Sequence, residues 1–94
     1  MSEVITYPVP PATSARALIN NDQYLQWYDQ SINDRETFWA DRAKEMISWS
    51  KPWTQVVDED LAAGKIQWFI GGETNASYNC LDRHLETRGD QTAI

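Results

Sequence analysis

Cys80 and His84 stand four residues apart, a spacing that puts both side chains on one face of a helix. A cysteine beside a histidine can serve as nucleophile and base, or as half of a zinc site. Zinc needs three or four ligands, and this sequence holds one cysteine and one histidine. A nucleophile also needs an oxyanion hole and a third, orienting group, and no pattern in the chain supplies them. The reading favoured for the pair is structural, a half-buried thiol and a hydrogen-bonded imidazole.

Other short matches fare no better. Ser48-Trp49-Ser50-Lys51 has the S-x-x-K form of penicillin-recognising enzymes, without the partner motifs that such chemistry requires downstream. Arg88-Gly89-Asp90 and Asn75-Ala76-Ser77 match an integrin triplet and a glycosylation acceptor, both meaningful only on a secreted protein. Asp58-Glu59-Asp60 resembles the start of a calcium loop, but Ala63 stands where the sixth-position glycine belongs. A solvated turn is expected there. Gly71-Gly72 lacks the following Lys-Ser/Thr of a phosphate loop and reads as a sharp turn out of a strand.

These residues must be carried on an α+β arrangement. Residues 1–19, with Pro8, Pro10 and Pro11, read as an extended or disordered arm, with at most one helical turn between Ser14 and Asn20. Asn21 is the expected cap of a helix over 22–32 that aligns Tyr24, Leu25, Tyr28 and Ile32. A capping box of Asn33 with Glu36, or Asp34 as rival cap, starts a second helix carrying Phe38, Trp39, Ala43, Met46 and Ile47. Pro52 is the expected stop, which makes the pair an αα-hairpin.

Strand-like runs follow over 53–57 and 65–70. A last helix from Asn75 or Ser77 to about Thr87 aligns Tyr78, Leu81 and Leu85, with Gly89 as its left-handed stop. Thr92, Ala93 and Ile94 read as the start of another strand.

Fourteen acids against eight bases give a charge of −6, which disfavours nucleic acid and anionic membranes. The single cysteine, and the absence of a signal-peptide pattern in residues 1–6, make a cytoplasmic location the expectation. Leu, Ile, Val and Phe make up only 18 of the 94 residues, and five tryptophans and four tyrosines move that marginal balance toward folding. Docking on a larger surface through Phe38, Trp39, Trp49, Trp53 and Trp68 is the favoured use of these rings. The alternative is a free-standing, Trp-rich interaction module that binds protein or carbohydrate.

Taken together, Phe38-Trp39, Trp49-Ser50-Lys51-Pro52-Trp53, Trp68-Phe69 with Gly72, Asn75, Tyr78-Asn79, Asp82-Arg83-His84-Leu85 and Arg88-Gly89-Asp90 resemble the N-terminal segment of AMP-forming acetyl-coenzyme A synthetases. The resemblance covers residues 20–94, taken as one incomplete segment. It implies the N-terminal part of a larger α/β adenylating fold that uses ATP, Mg²⁺ and CoA. The family's phosphate loop, ribose-binding acid, CoA-binding arginines and catalytic lysine all lie downstream of such a segment. No catalytic, cofactor-binding or metal-binding residue is therefore carried onto this chain. The resemblance gives the segment a structural role, with Asp82, Arg83 and His84 fixing the last helix by polar contacts.

Overall fold

The computed structural model describes residues 3–94. The expected arm lies within it except for residues 1 and 2, which fall outside the described residues. The arm is not wholly extended. Pro11–Arg16 form a short helix, α1, with proline at its first position, where a missing N–H costs nothing.

Helix α2 spans Asn21–Asn33, and its cap is Asn20 rather than Asn21. The Asn20 side chain accepts from the Gln23 backbone N–H, and the Gln23 side chain accepts from that of Asn20, each at 2.9 Å. A reciprocal box with Gln three residues on outcompetes a cap without one.

Helix α3, Arg35–Met46, follows after one residue, Asp34, which closes α2 and opens α3. The predicted box of Asn33 with Glu36 does not form. Asn33 is the last residue of α2, and its amide donates to Asp29 instead. The αα-hairpin is present as expected.

Helix α3 ends at Met46, well before Pro52, and Ile47 is already extended. Proline constrains only its neighbour, whereas Arg83 takes the freed Met46 carbonyl at 2.9 Å. The released chain forms strand β1, Trp49–Lys51, paired antiparallel with a two-residue strand β4, Glu73–Thr74.

Between them lies a hairpin of β2, Gln55–Asp60, and β3, Lys65–Ile70. The acidic run 58–60 is thus strand rather than turn, with two of its three charges paired from elsewhere. Lys65 holds Asp58 and Arg35 holds Glu59.

The single long helix predicted near the end is broken. Helix α4, Ala76–Cys80, gives way at Leu81 to a 3₁₀ turn over Asp82–His84 and then to α5, Leu85–Arg88. Gly89 has φ −59, so its role as a left-handed stop does not hold. Residues 92–94 lie in no strand.

Packing is thin. Among the described residues the buried hydrophobic side chains are Ala43 and Val57, where α3 meets β2. The radius of gyration is 18.8 Å, against about 12 Å for a compact chain of this length. A surface of 8404 Å² is exposed, where a compact monomer of this mass exposes on the order of 5,500 Å². Part of the excess belongs to the arm, and the rest to open faces of α2 and of the C-terminal turns.

Candidate functional site

All five tryptophans fall into one chain of ring contacts, joined by two phenylalanines. Trp27 meets Phe38 edge-on at 6.5 Å, Phe38 meets Trp39 at 5.1 Å, and Trp39 meets Trp68 at 6.5 Å. Phe69 then gathers Trp68, Trp49 and Trp53 at 5.9, 5.5 and 5.0 Å. Tilted and edge-to-face pairs of this kind stabilise beyond the area they bury. The rings thus substitute for an aliphatic core, tying the αα-hairpin to both small sheets.

The rings expected to face a larger partner therefore face one another first. Trp39 and Trp68 remain 44% and 37% exposed. At the other end Arg42 lies 4.1 Å over the Trp27 ring and bonds Glu45, while its Nε and one terminal nitrogen are buried without an acceptor. The ring's negative face offsets part of that cost.

Two backbone features position the ladder. Phe69 has φ 52, a left-handed conformation that a bulky side chain adopts only when its surroundings demand it. Gly71, at φ 77, turns the chain after β3, and Gly72 passes against Trp49. A Cβ on Gly72 would stand 2.8 Å from the Trp49 ring. Gly72→Ala is accordingly expected to destabilise the β1–β4 pairing by about 1–3 kcal/mol through overpacking, read as a lower denaturant midpoint. An unchanged midpoint would mean that Trp49 moves freely.

The strongest polar feature is Asn79. Its Oδ1 accepts from the Ser48 N–H at 2.7 Å, and its Nδ2 donates to the Ser48 carbonyl at 3.0 Å. The same nitrogen reaches Thr74 Oγ1 and the Asn75 carbonyl. One carboxamide thus reads both backbone groups of Ser48, as a neighbouring strand would. Arg83 adds its bonds to Met46 and, at 3.5 Å, to the Ser48 hydroxyl. Of the three polar residues expected to fix the last helix, Arg83 does so across the fold.

The residues singled out for chemistry stay apart in function. Cys80 is an exposed free thiol, and the helix breaks directly after it. Both ring nitrogens of His84 face guanidinium groups, Arg83 at 3.4 Å and Arg88 at 3.1 Å. Cys80 and His84 share a shallow cleft with Leu81, Leu85 and Arg88, but the imidazole faces the two guanidinium groups and accepts a hydrogen bond from only one of them. Ser48 and Lys51 likewise take separate partners, Asn79 and Glu73. Among the described residues no three potential metal ligands cluster, and no helix is long and apolar enough to cross a membrane.

Sequence reading missed Asn79, Phe69 and Arg42 as organising residues. Only Asn79 leaves a local trace, as the second asparagine of the first helical turn that Asn75 caps.

Residues 24–80 match the family described as "Acetyl-coenzyme A synthetase N-terminus". The whole chain aligns with an acetyl-coenzyme A synthetase of Magnetococcus marinus at 53% identity, covering 15% of that protein. It aligns in the same way with "Acetyl-coenzyme A synthetase 2" of Pseudomonas aeruginosa at 47% and with the Halorhodospira halophila protein at 49%. The chain thus spans about 15% of the length of these relatives.

Proposed function

The chain belongs to the acetyl-coenzyme A synthetase N-terminus family, and from that premise we propose that it is the structural opening segment of an AMP-forming acetate–CoA ligase. In that reaction acetate attacks the α-phosphorus of ATP, giving acetyl-AMP and pyrophosphate. The CoA thiol then displaces AMP to give acetyl-CoA. Mg²⁺ supplies charge neutralisation on the phosphates.

The residues present do not fit these groups. No three metal-ligating side chains converge among the described residues, and the Gly71-Gly72 turn is packed on Thr54 and Trp49 rather than open as a phosphate cradle. The reading therefore places ATP, Mg²⁺ and CoA on the adenylating fold that follows, and no chemical step on residues 1–94.

The role left to this chain is docking. Phe38, Trp39, Trp49, Trp53 and Trp68 organise the hairpin and sheets, and their exposed edges pack on the rest of the polypeptide. The observation that carries the activity is alignment of 95–100% of the chain with acetyl-coenzyme A synthetases at 46–53% identity. Fold likeness alone would not suffice.

The test is acetate-dependent pyrophosphate release. The complete polypeptide that carries this segment is expected to release it, and residues 1–94 alone are expected to give none. Release by the short chain would move chemistry into it. Tight glycan or protein capture by the short chain, with no activity in the long one, would favour the interaction module instead.

A further inference from the structure

The row Tyr24, Leu25, Tyr28 and Ile32 repeats at helical spacing along α2, and the structure leaves all four open, at 53, 53, 56 and 62% exposure. Single exposed apolar residues are ordinary, but an aligned row of them on one helix is not. The row borders a cleft of about 300 Å³ between α2 and α3, lined by Tyr24, Trp27, Tyr28, Ser31, Phe38 and Trp39. No charged side chain lines it, so it suits a bulky apolar side chain.

The charges around the row bear on the occupant. Helix α2 carries Asp22 and Asp29 and no lysine or arginine. By helical spacing Asp22 lies three residues before Leu25 and Asp29 four after it, so both border the row. A second copy whose two-fold axis passed between them would set Asp22 of each helix against Asp29 of the other, like charge against like. A segment of opposite charge would not.

The open α2 row accounts for part of the roughly 2,900 Å² by which the surface exceeds that of a compact monomer, the remainder lying on the arm and the C-terminal turns.

We propose that this row and its cleft seat an apolar segment, flanked by lysine or arginine, from the part of the same polypeptide beyond residue 94. The inference rests on the functional reading above and adds to the tryptophan edges a wider contact along helix α2. The ladder holds the segment together, and the α2 row attaches it.

The test uses the complete polypeptide, with Leu25→Asp and Ile32→Asp as separate variants. Both positions are exposed here, so an undocked row would accept either charge with little effect. Docking predicts instead that protease cleavage within residues 1–94, and amide exchange of α2, accelerate about tenfold or more. Asp29→Lys, which leaves the apolar row intact, is expected to loosen the segment as well.

Wild-type cleavage and exchange in all three variants would overturn the proposal. So would loosening that tracks protein concentration together with loss of a dimer, since that assigns the row to a second copy. If Trp39→Ala and Trp68→Ala loosen the segment while the α2 variants do not, docking runs through the tryptophans alone. The inference then fails and the functional reading stands. A complete polypeptide without acetate-dependent pyrophosphate release fails that reading separately.

Discussion

Asn79→Asp is expected to cost the β1 junction about 2–4 kcal/mol at neutral pH, although the two side chains have the same shape. The carboxylate keeps the acceptor for the Ser48 N–H. It loses the nitrogen that donates to the Ser48 carbonyl, Thr74 Oγ1 and the Asn75 carbonyl at 2.9–3.0 Å. An anionic oxygen then faces the Ser48 and Asn75 carbonyls, which keep only their bonds from Thr74 Oγ1 and the residue-79 N–H.

The pH dependence has a definite sign. Protonating the new carboxyl restores one donor, so the folded state binds that proton more tightly than the unfolded state does. The folded pKa is raised, and the penalty is present above it and relieved as pH falls towards the ordinary carboxylate range near 4. Amide exchange of β1 measures the effect as a loss of protection of about thirtyfold or more at pH 7, shrinking in acid. A variant as protected as wild type at pH 7 would mean that the carboxamide is not the clamp.

The clamp also shows why some elements were legible in the sequence and others were not. Helices α2 and α3 and strand β3 rest on local signals: a cap, an apolar period, a β-branched and aromatic run bounded by glycine. The end of α3 does not. It is set by Arg83 and Asn79, thirty and more residues away, which satisfy the Met46 and Ser48 backbone. The short strand β4 exists only because β1 has been released to pair with it. Likewise 58–60 carries the composition of a turn, but it pairs as a strand, with Lys65 and Arg35 supplying counter-charges to two of its three acids.

The apolar rows were legible as patterns, and their outcome differs from what a pattern predicts. Tyr24, Leu25, Tyr28 and Ile32, and again Tyr78, Leu81 and Leu85, have the spacing of core-facing stripes, yet every one is exposed. Periodicity states which residues share a face. It does not state whether the surface that covers them belongs to the same 94 residues. In α2 the residue that packs inward is Trp27, between Phe38 and Arg42, and it lies outside the predicted row.

Phe69 supplies the second large effect, and a comparison of two substitutions separates its two roles. Its ring contacts three tryptophans at 5.0–5.9 Å, so Phe69→Ala removes the hub of the ladder. A fully buried phenylalanine cut to alanine costs about 3–5 kcal/mol. Half-burial at this site brings the expected loss to roughly 2–4 kcal/mol.

Alanine leaves the second problem in place. At φ 52 a Cβ is disfavoured by about 1–2 kcal/mol, and glycine escapes that penalty. In an ordinary strand glycine is worse than alanine. Here Phe69→Gly is expected to be at least as stable as Phe69→Ala, reversing the usual order. Denaturant midpoints with indole fluorescence read both effects at once, since three of the five indoles abut this ring. If Phe69→Gly proves the weaker variant by 1 kcal/mol or more, the left-handed turn at this residue is not what aims the ring into the ladder.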